Sequence, residues 1–220
     1  MHSTKTLMTT QEKHTELEKI ALEIRGFKGL EIARNCTNAV PGEGNPDTPL
    51  MFIGEGPGYN EDMQGRPFVG QAGKLLEKTL KDVLNLGRFD VYITNIIKFR
   101  PPENRDPLPD EIEACRSWLD RQISIISPKM IATLGRFSMA KFIPDVSISR
   151  VHGQARFVDF AGLKIIVFPM YHPAAALRAG SIMNEFIQDF NKLKNLLGDK
   201  YAEILEAKPQ TTQVSQQSLF

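Results

Sequence analysis

Four short, almost unbroken apolar runs limit how this chain can fold more than any other feature. They are "LMFIGE" from Leu50, "VYITNIIKF" over 91–99, "MIATLG" over 130–135 and "LKIIVFPMYH" over 163–172. Helical periodicity fills the intervals. Over 71–85, Leu75, Leu76, Leu80, Val83 and Leu84 fall on one side. After the stiff loop "RPPENRDPLP", Ile112, Cys115, Leu119, Ile123 and Ile126 do the same, and over 182–197 so do Phe186, Phe190, Leu193 and Leu197. Runs that are apolar at successive positions are strands buried on both faces, and the helices between them are their covers. The pattern predicts an α/β fold on a parallel sheet of four strands. Ahead of it, Thr9 and Glu12 have capping-box spacing, with Leu17, Ile20, Ala21 and Ile24 on one helical face up to Gly26. We expect an untethered segment at 1–8, one domain over 9–207 and a flexible tail at 208–220.

Parallel sheets of this kind bind ligands beyond the carboxyl ends of their strands. The first strand delivers Gly54, Glu55, Gly56, Pro57 and Gly58, opening the loop "GEGPGYNEDMQGRPFVG", which also carries Glu61, Asp62 and Phe68. The second delivers Asn95, with Lys98, Arg100 and Arg105 behind it; the third, Gly135 and Arg136; the fourth, His172 and Pro173, followed by Leu177 and Arg178. The glycine loop lacks the Gly-Lys-Ser/Thr ending of a phosphate-binding P-loop and the G-x-G-x-x-G spacing of a dinucleotide site. What remains is an aromatic ring, a carboxamide and an imidazole. A carboxamide offers one donor and one acceptor edge, enough to read the O4 and N3–H of uracil. A ring gives an extruded base a stacking face. An imidazole beside O2 stabilises the charge of a departing base. Taken singly, each has a plainer reading: Asn95 as a turn cap, His172 as a satisfied core residue, Phe68 and Leu177 as packing, Glu61 and Asp62 as loop carboxylates.

Charge decides how nucleic acid would be held. With 27 Lys and Arg against 26 Asp and Glu, net charge is +1, so no global field draws the chain to DNA and a local patch must do so. Lys98, Arg100, Arg105 and Arg178 are the candidates, with Leu177 as a wedge into the base stack. Two cysteines, an N-terminus without a signal-like apolar core and no window approaching a membrane span lead us to expect a cytoplasmic protein.

Three ordered blocks, "GEGPGYNEDMQGRPFVGQAG", "YITNIIKFRPPENR" and "YHPAAAL", resemble the hallmark blocks of the family 4 uracil-DNA glycosylases, and the likeness runs from about residue 30 to 197. The resemblance implies a three-layer α/β/α sandwich with a central four-stranded parallel sheet. It also implies hydrolysis of the N-glycosidic bond of deoxyuridine in DNA, which initiates base excision repair. Carried over by position, Phe68 stacks on the flipped uracil, Asn95 reads its edge beside Gly54 and Pro57, and His172 bonds O2 of the leaving anion. Glu55 and Gly56 fall where related glycosylases place the residue that positions water. Gly56 has no side chain, so a carboxylate acting as base at that point is excluded, which agrees with a dissociative path. Glu61 would hold water or shape the loop. The implied partner is uracil-containing DNA, and the implied state is a monomer associated with the nucleoid. A different outcome within the superfamily is a non-catalytic or covalently trapping uracil-DNA-binding protein; here "GRFSMAKFIPDVSISRVHGQARF" offers His152 but no basic insertion.

Most members of that family resemble one another in carrying a [4Fe–4S] cluster on four cysteines. In this chain the corresponding positions are Phe27, Leu30, Phe99 and Cys115, and Cys36 matches none of them. Four thiolates cannot be drawn from two cysteines, so we expect no cluster and no metal. The chain ends "QQSLF", and Gln216, Leu219 and Phe220 resemble the short peptide by which bacterial repair enzymes dock on the sliding clamp. That likeness implies a bacterial host.

Overall fold

The computed structural model of the chain describes residues 8–198. The segment 1–7, the stretch 199–207 and the tail 208–220 with Gln216, Leu219 and Phe220 lie outside the described residues. In chain order the elements are α1 (Thr10–Gly26), α2 (Glu31–Asn35), β1 (Glu43–Gly44), β2 (Leu50–Gly54), α3 (Tyr59–Gln64), α4 (Gln71–Leu84), β3 (Tyr92–Asn95), α5 (Pro109–Ile126), β4 (Met130–Leu134), α6 (Arg136–Ala140), α7 (Ile148–Val151), β5 (Arg156–Phe160), β6 (Leu163–Met170), α8 (Pro173–Arg178) and α9 (Gly180–Leu197).

Among the described residues the sheet has six strands in the order β1-β3-β2-β4-β6-β5. The inner four, β3, β2, β4 and β6, run parallel as the apolar runs predict. Two antiparallel edges extend it: β1 pairs with β3, and β5 forms a hairpin with β6. Neither edge has the all-apolar signature, because β1 is two residues long and β5 lies half in solvent. The second run is also only partly strand. After Asn95 the chain leaves the ladder, and the N–H groups of Ile96 and Ile97 bond the carbonyls of Gly54 and Glu55.

Strand alternation divides the core in two. Met51, Ile53, Ile131 and Val167 pack with Ile20 and Ile24 of α1 and Leu119 and Ile123 of α5. Leu50, Phe52, Ala132 and Phe168 face the other way, onto Leu76 and Leu80 of α4 and Phe186 and Phe190 of α9. Phe52 and Phe190 stack at 6.0 Å between centroids. Burying each such ring contributes roughly 1.5–3 kcal/mol. The capping box that opens α1 is formed as its spacing predicts, with Glu12 Oε2 accepting from Thr9 N at 2.7 Å and Glu12 N donating to Thr9 Oγ1 at 3.3 Å. β2 lies between β3 and β4, so the chain leaves it first to one side and later to the other. A crevice opens at the carboxyl ends of such strands.

Candidate active site

A cleft of about 640 Å³ occupies that crevice, with Glu55, Gly56, Pro57, Phe68, His172 and Arg178 among its walls. The ring of Phe68 and the imidazole of His172 stand 5.7 Å apart, tilted by 32°. Gly54 is the floor on which Phe68 and Asn95 meet. A Cβ there would come within 2.4 Å of the Phe68 ring and 2.5 Å of Asn95 Oδ1, so any side chain would push them apart. Gly56 is constrained in the same way, since its Cβ would fall 2.7 Å from Ile97 Cγ1. The aromatic ring, carboxamide and imidazole singled out in the sequence are thus brought together.

Asn95 is 1% exposed, and neither Oδ1 nor Nδ2 has a hydrogen-bond partner. Leaving a buried polar group unpaired costs about 1–3 kcal/mol, and such groups are rare enough to need a reason. Here one donor and one acceptor are held side by side against Gly54, where the edge of the Phe68 ring also lies.

His172 caps α8, and its Nδ1 accepts from the N–H of Ala174 at 3.1 Å. That bond places the ring proton on Nε2. Burial, reinforced by the nearby Arg178 guanidinium and opposed by Glu61, lowers the pKa to about 4. At neutral pH the imidazole is therefore an uncharged donor.

Phe68 sits at φ 51°, in the left-handed region that ordinary side chains avoid. Three neighbours hold it there. Glu61 Oε1 accepts from Val69 N and Gly70 N at 2.8 and 2.7 Å, and its Oε2 accepts from Gly58 N at 3.2 Å. Arg88 donates to the carbonyls of Pro67 and Phe68 while its Nε bonds Glu43 at 2.6 Å. Gly73 of α4 lets the backbone of Phe68 lie against the helix; a Cβ there would be 1.9 Å from the Phe68 carbonyl oxygen. Of the two roles expected of Glu61, holding water or shaping the loop, its bonds to three backbone N–H groups show the second, and its side chain also lines the cleft. The neighbouring Asp62 is a clamp as well, accepting from Thr37 N and Asn38 N at 2.8 and 3.0 Å.

The basic residues divide. Lys98, expected on the DNA-facing rim, is wholly buried: Nζ donates to Thr94 Oγ1, Asn95 O, Gln122 Oε1 and Pro41 O. It has no access to a phosphate, and the reason is that the chain turns inward after Asn95. Arg105 lines the cleft, but both its Nη atoms are held by the buried carboxylate of Glu111 at 2.9 and 2.7 Å. Arg100 lies outside the cleft wall, with Nε on Asn104 at 2.7 Å. Arg178 is exposed and lines the cleft, and Leu177, its neighbour in α8, is 48% exposed, a large apolar side chain in solvent.

Sequence reasoning brought Arg136 to the rim without giving it a role and stopped short of three more residues. Arg136 and Asp106, an ion pair, both line the cleft, as does Tyr171. Arg136 lies just beyond a strand end, as the carboxyl-end rule requires, and Tyr171 directly follows β6 in the same way; Asp106 carries no comparable signal. Arg88 had none either, being an isolated arginine in a connection. Glu55 projects into the same space. Burial raises its pKa and the charge of Asp106 adds to this, while Arg136 and Arg178 pull it down.

A four-thiolate cluster does not fit the residues present. Phe27 stacks on Phe99 at 5.8 Å and meets Trp118 edge-on at 5.0 Å, and Leu30 and Cys115 belong to the same apolar core. Burial raises the pKa of both Cys115 and Cys36, which disfavours the thiolate that a metal needs. Among the described residues no three His, Cys, Asp or Glu side chains are grouped to hold a metal ion. His152 is outside the cleft wall, with Nδ1 on the buried Asp189 at 2.8 Å and its ring against Tyr171 at 4.5 Å.

Comparison with known proteins bears on this geometry. The family model of the uracil DNA glycosylase superfamily matches residues 41–194. The chain is 49% identical over 185 residues to a type-4 uracil-DNA glycosylase of Sulfurisphaera tokodaii, covering 82% of this chain and 84% of that one. It is 43% identical to the type-4 enzyme of Archaeoglobus fulgidus and 39% identical to that of Thermotoga maritima, each time covering 86% of this chain and 98% of the relative. From the matched span and these identities, the chain belongs to the uracil DNA glycosylase superfamily and, within it, to the type-4 uracil-DNA glycosylases.

Proposed function

We propose that this protein excises uracil from DNA by hydrolysing the N-glycosidic bond of deoxyuridine, the step that initiates base excision repair. One observation carries the reading: a buried carboxamide, Asn95, with donor and acceptor both unpaired, meets the Phe68 ring over Gly54, and that ring lines a cleft together with an uncharged imidazole. Uracil presents the complementary O4 acceptor and N3–H donor on one edge, and a flat face for Phe68.

With the base extruded into the cleft, Asn95 Nδ2 donates to O4 and Oδ1 accepts from N3–H. The Nε2–H of His172 donates to O2, where negative charge grows as the N1–C1′ bond breaks and the electron pair leaves with the base. A neutral donor suits this step, because preorganised dipoles stabilise charge as it develops. Water then adds to C1′ of the sugar cation and gives up a proton. Glu55, in the same cleft with its pKa raised, is the carboxylate that orients this water and receives the proton. The departing anion takes up a proton from solvent, leaving free uracil and an abasic sugar.

Arg178 in the cleft wall and the exposed Leu177 next to it support a phosphate contact and a wedge into the stack, while Arg105 is held by Glu111 and Arg100 stands outside the wall. The aromatic packing of Phe27, Phe99 and Trp118 supports a cluster-free enzyme. Docking on a sliding clamp through Gln216, Leu219 and Phe220, a monomeric state and residence at the nucleoid rest on the sequence alone.

Incubation with single- and double-stranded uracil oligonucleotides in EDTA, followed by alkali, tests the proposal. Strand breaks at uracil that vanish in Asn95→Ala and His172→Ala are expected. An intact wild-type substrate overturns the reading, and a protein–DNA band that survives boiling points to covalent trapping instead.

A further inference from the structure

α3 forms one lip of the cleft, and its two acidic residues face inward. Glu61 holds the glycine loop and Asp62 holds the backbone of Thr37 and Asn38, so the helix cannot roll. The opposite face is left to Tyr59 and Met63, one helical turn apart, which are 56% and 48% exposed. Both are large apolar side chains in a position where polar ones would be unremarkable. The guanidinium carbon of Arg100 lies 5.1 Å from the Tyr59 ring centroid. Arg100 is itself steadied by Asn104, whose side chain accepts from Nε and which lines the cleft, while Gly58, next to Tyr59, lines it as well. An exposed aromatic ring with an arginine against it, outside the cleft wall but next to its lining residues Gly58 and Asn104, combines a stacking surface and a phosphate-seeking cation.

We propose that Tyr59, with Arg100 packed against it, is a second stacking platform, which takes the nucleobase adjacent to the extruded uracil on the same strand while Arg100 contacts the intervening phosphate. This rests on the glycosylase reading above. Extrusion leaves the neighbouring base without a stacking partner on one side, and a base–aromatic contact restores it. Base stacking does not depend on pairing or on sequence, so the platform favours single-stranded or locally opened substrate of any flanking sequence. Arg100 reinforces it by cation–π attraction to the ring and by charge.

The test uses oligonucleotides carrying 2-aminopurine on the 5′ or the 3′ side of 2′-fluorinated deoxyuridine, whose glycosidic bond resists cleavage. Fluorescence titration then reads stacking without turnover. For one of the two positions, quenching is expected with the wild type, retained in Tyr59→Phe and lost in Tyr59→Ala. On cleavable single-stranded substrate, Tyr59→Ala should raise KM about tenfold with little change in kcat. Replacing the neighbouring nucleotide by an abasic spacer should cost the wild type a similar factor and cost Tyr59→Ala nothing further. Arg100→Gln should lower the salt dependence of binding by about one phosphate's worth. Tyr59 is exposed, so loss of folding is not expected to obscure the result. Equal quenching in wild type and Tyr59→Ala, or losses from the variant and the spacer that simply multiply, would overturn the platform while leaving uracil excision intact. Failure of the wild type to release uracil from cleavable substrate would instead strike the glycosylase reading, and the quenching data would still decide the platform.

Discussion

Lys98 Nζ donates to the carbonyl oxygen of Asn95 at 2.9 Å and to Thr94 Oγ1 at 2.7 Å. Successive side chains on a strand point to opposite faces, so Thr94 and the Lys98 ammonium lie on the far side of the strand from the Asn95 carboxamide. A buried cation thus braces the backbone from which the Asn95 carboxamide projects. Its acceptors are all uncharged; the titratable or charged groups acting on it are Cys115 and Lys141.

Burial lowers the Lys98 pKa from 10.5 to about 7. Below about pH 7 the group is charged in both folded and unfolded chains. Between about 7 and 10.5 only the unfolded chain keeps the proton, so raising the pH through that window favours the folded state. Urea unfolding should show the wild type gaining stability there, and Lys98→Met should flatten the gain. The variant also leaves the acceptors of Lys98 unpaired, with an expected loss of about 3 kcal/mol at pH 7. An unchanged slope would mean that the ammonium is not the titrating group.

Asn95→Ala should separate function from stability. Its amide has no partner to lose, so unfolding free energy should move by no more than about 1 kcal/mol. Excision should fall about 10²- to 10³-fold, as when one preorganised donor is removed from a charge-stabilising site. Melts and single-turnover rates on one preparation check both halves.

Glu61→Ala should do the reverse, acting on the loop before the chemistry. Loss of three bonds to a carboxylate is expected to destabilise the fold by about 2–4 kcal/mol and to open 54–70 to proteolysis. Glu61→Gln keeps the shape and one carbonyl oxygen, so it should retain some of both stability and activity. If Glu61 instead activates water, the two variants would be equally inactive at full stability.

The pH dependence of excision should be set by Glu55 and not by His172. With its pKa raised above 4.5, Glu55 loses its negative charge first as pH falls, and activity falls with it; Glu55→Gln should be slow and lack that limb. His172 stays neutral down to about pH 4. Its depressed pKa means that the unfolded chain takes up a proton first, so its share of stability declines as pH drops from 6.5 towards 4. An activity limb centred near 6.5 that survives Glu55→Gln would contradict this assignment.

Much of this was legible in the sequence because burial on both faces leaves a one-dimensional signature. The four parallel strands, α4, α5 and α9, and the convergence of Phe68, Asn95 and His172 followed from apolar runs and the rule for strand ends. Lys98 was misread because a charged residue just after a strand looks like a rim cation, and nothing local announces that the chain turns inward and wraps its ammonium in carbonyls. Glu61 was read only halfway: its spacing from Gly58 marks a helix start, but its second set of bonds, to Val69 and Gly70, depends on how the loop closes. Arg88 braces Phe68 from twenty residues away, a relation that exists only in three dimensions. Gly73 did leave a trace, since a glycine inside a helix lowers its stability and so marks a close approach.

Crystals of the protein soaked with uracil test the central claim most directly. The account predicts the base lying against the Phe68 ring, with O4 and N3–H bonded to Asn95 and O2 within reach of His172 Nε2. Uracil bound elsewhere, or bound in the cleft with the Asn95 carboxamide still unpaired, would contradict it.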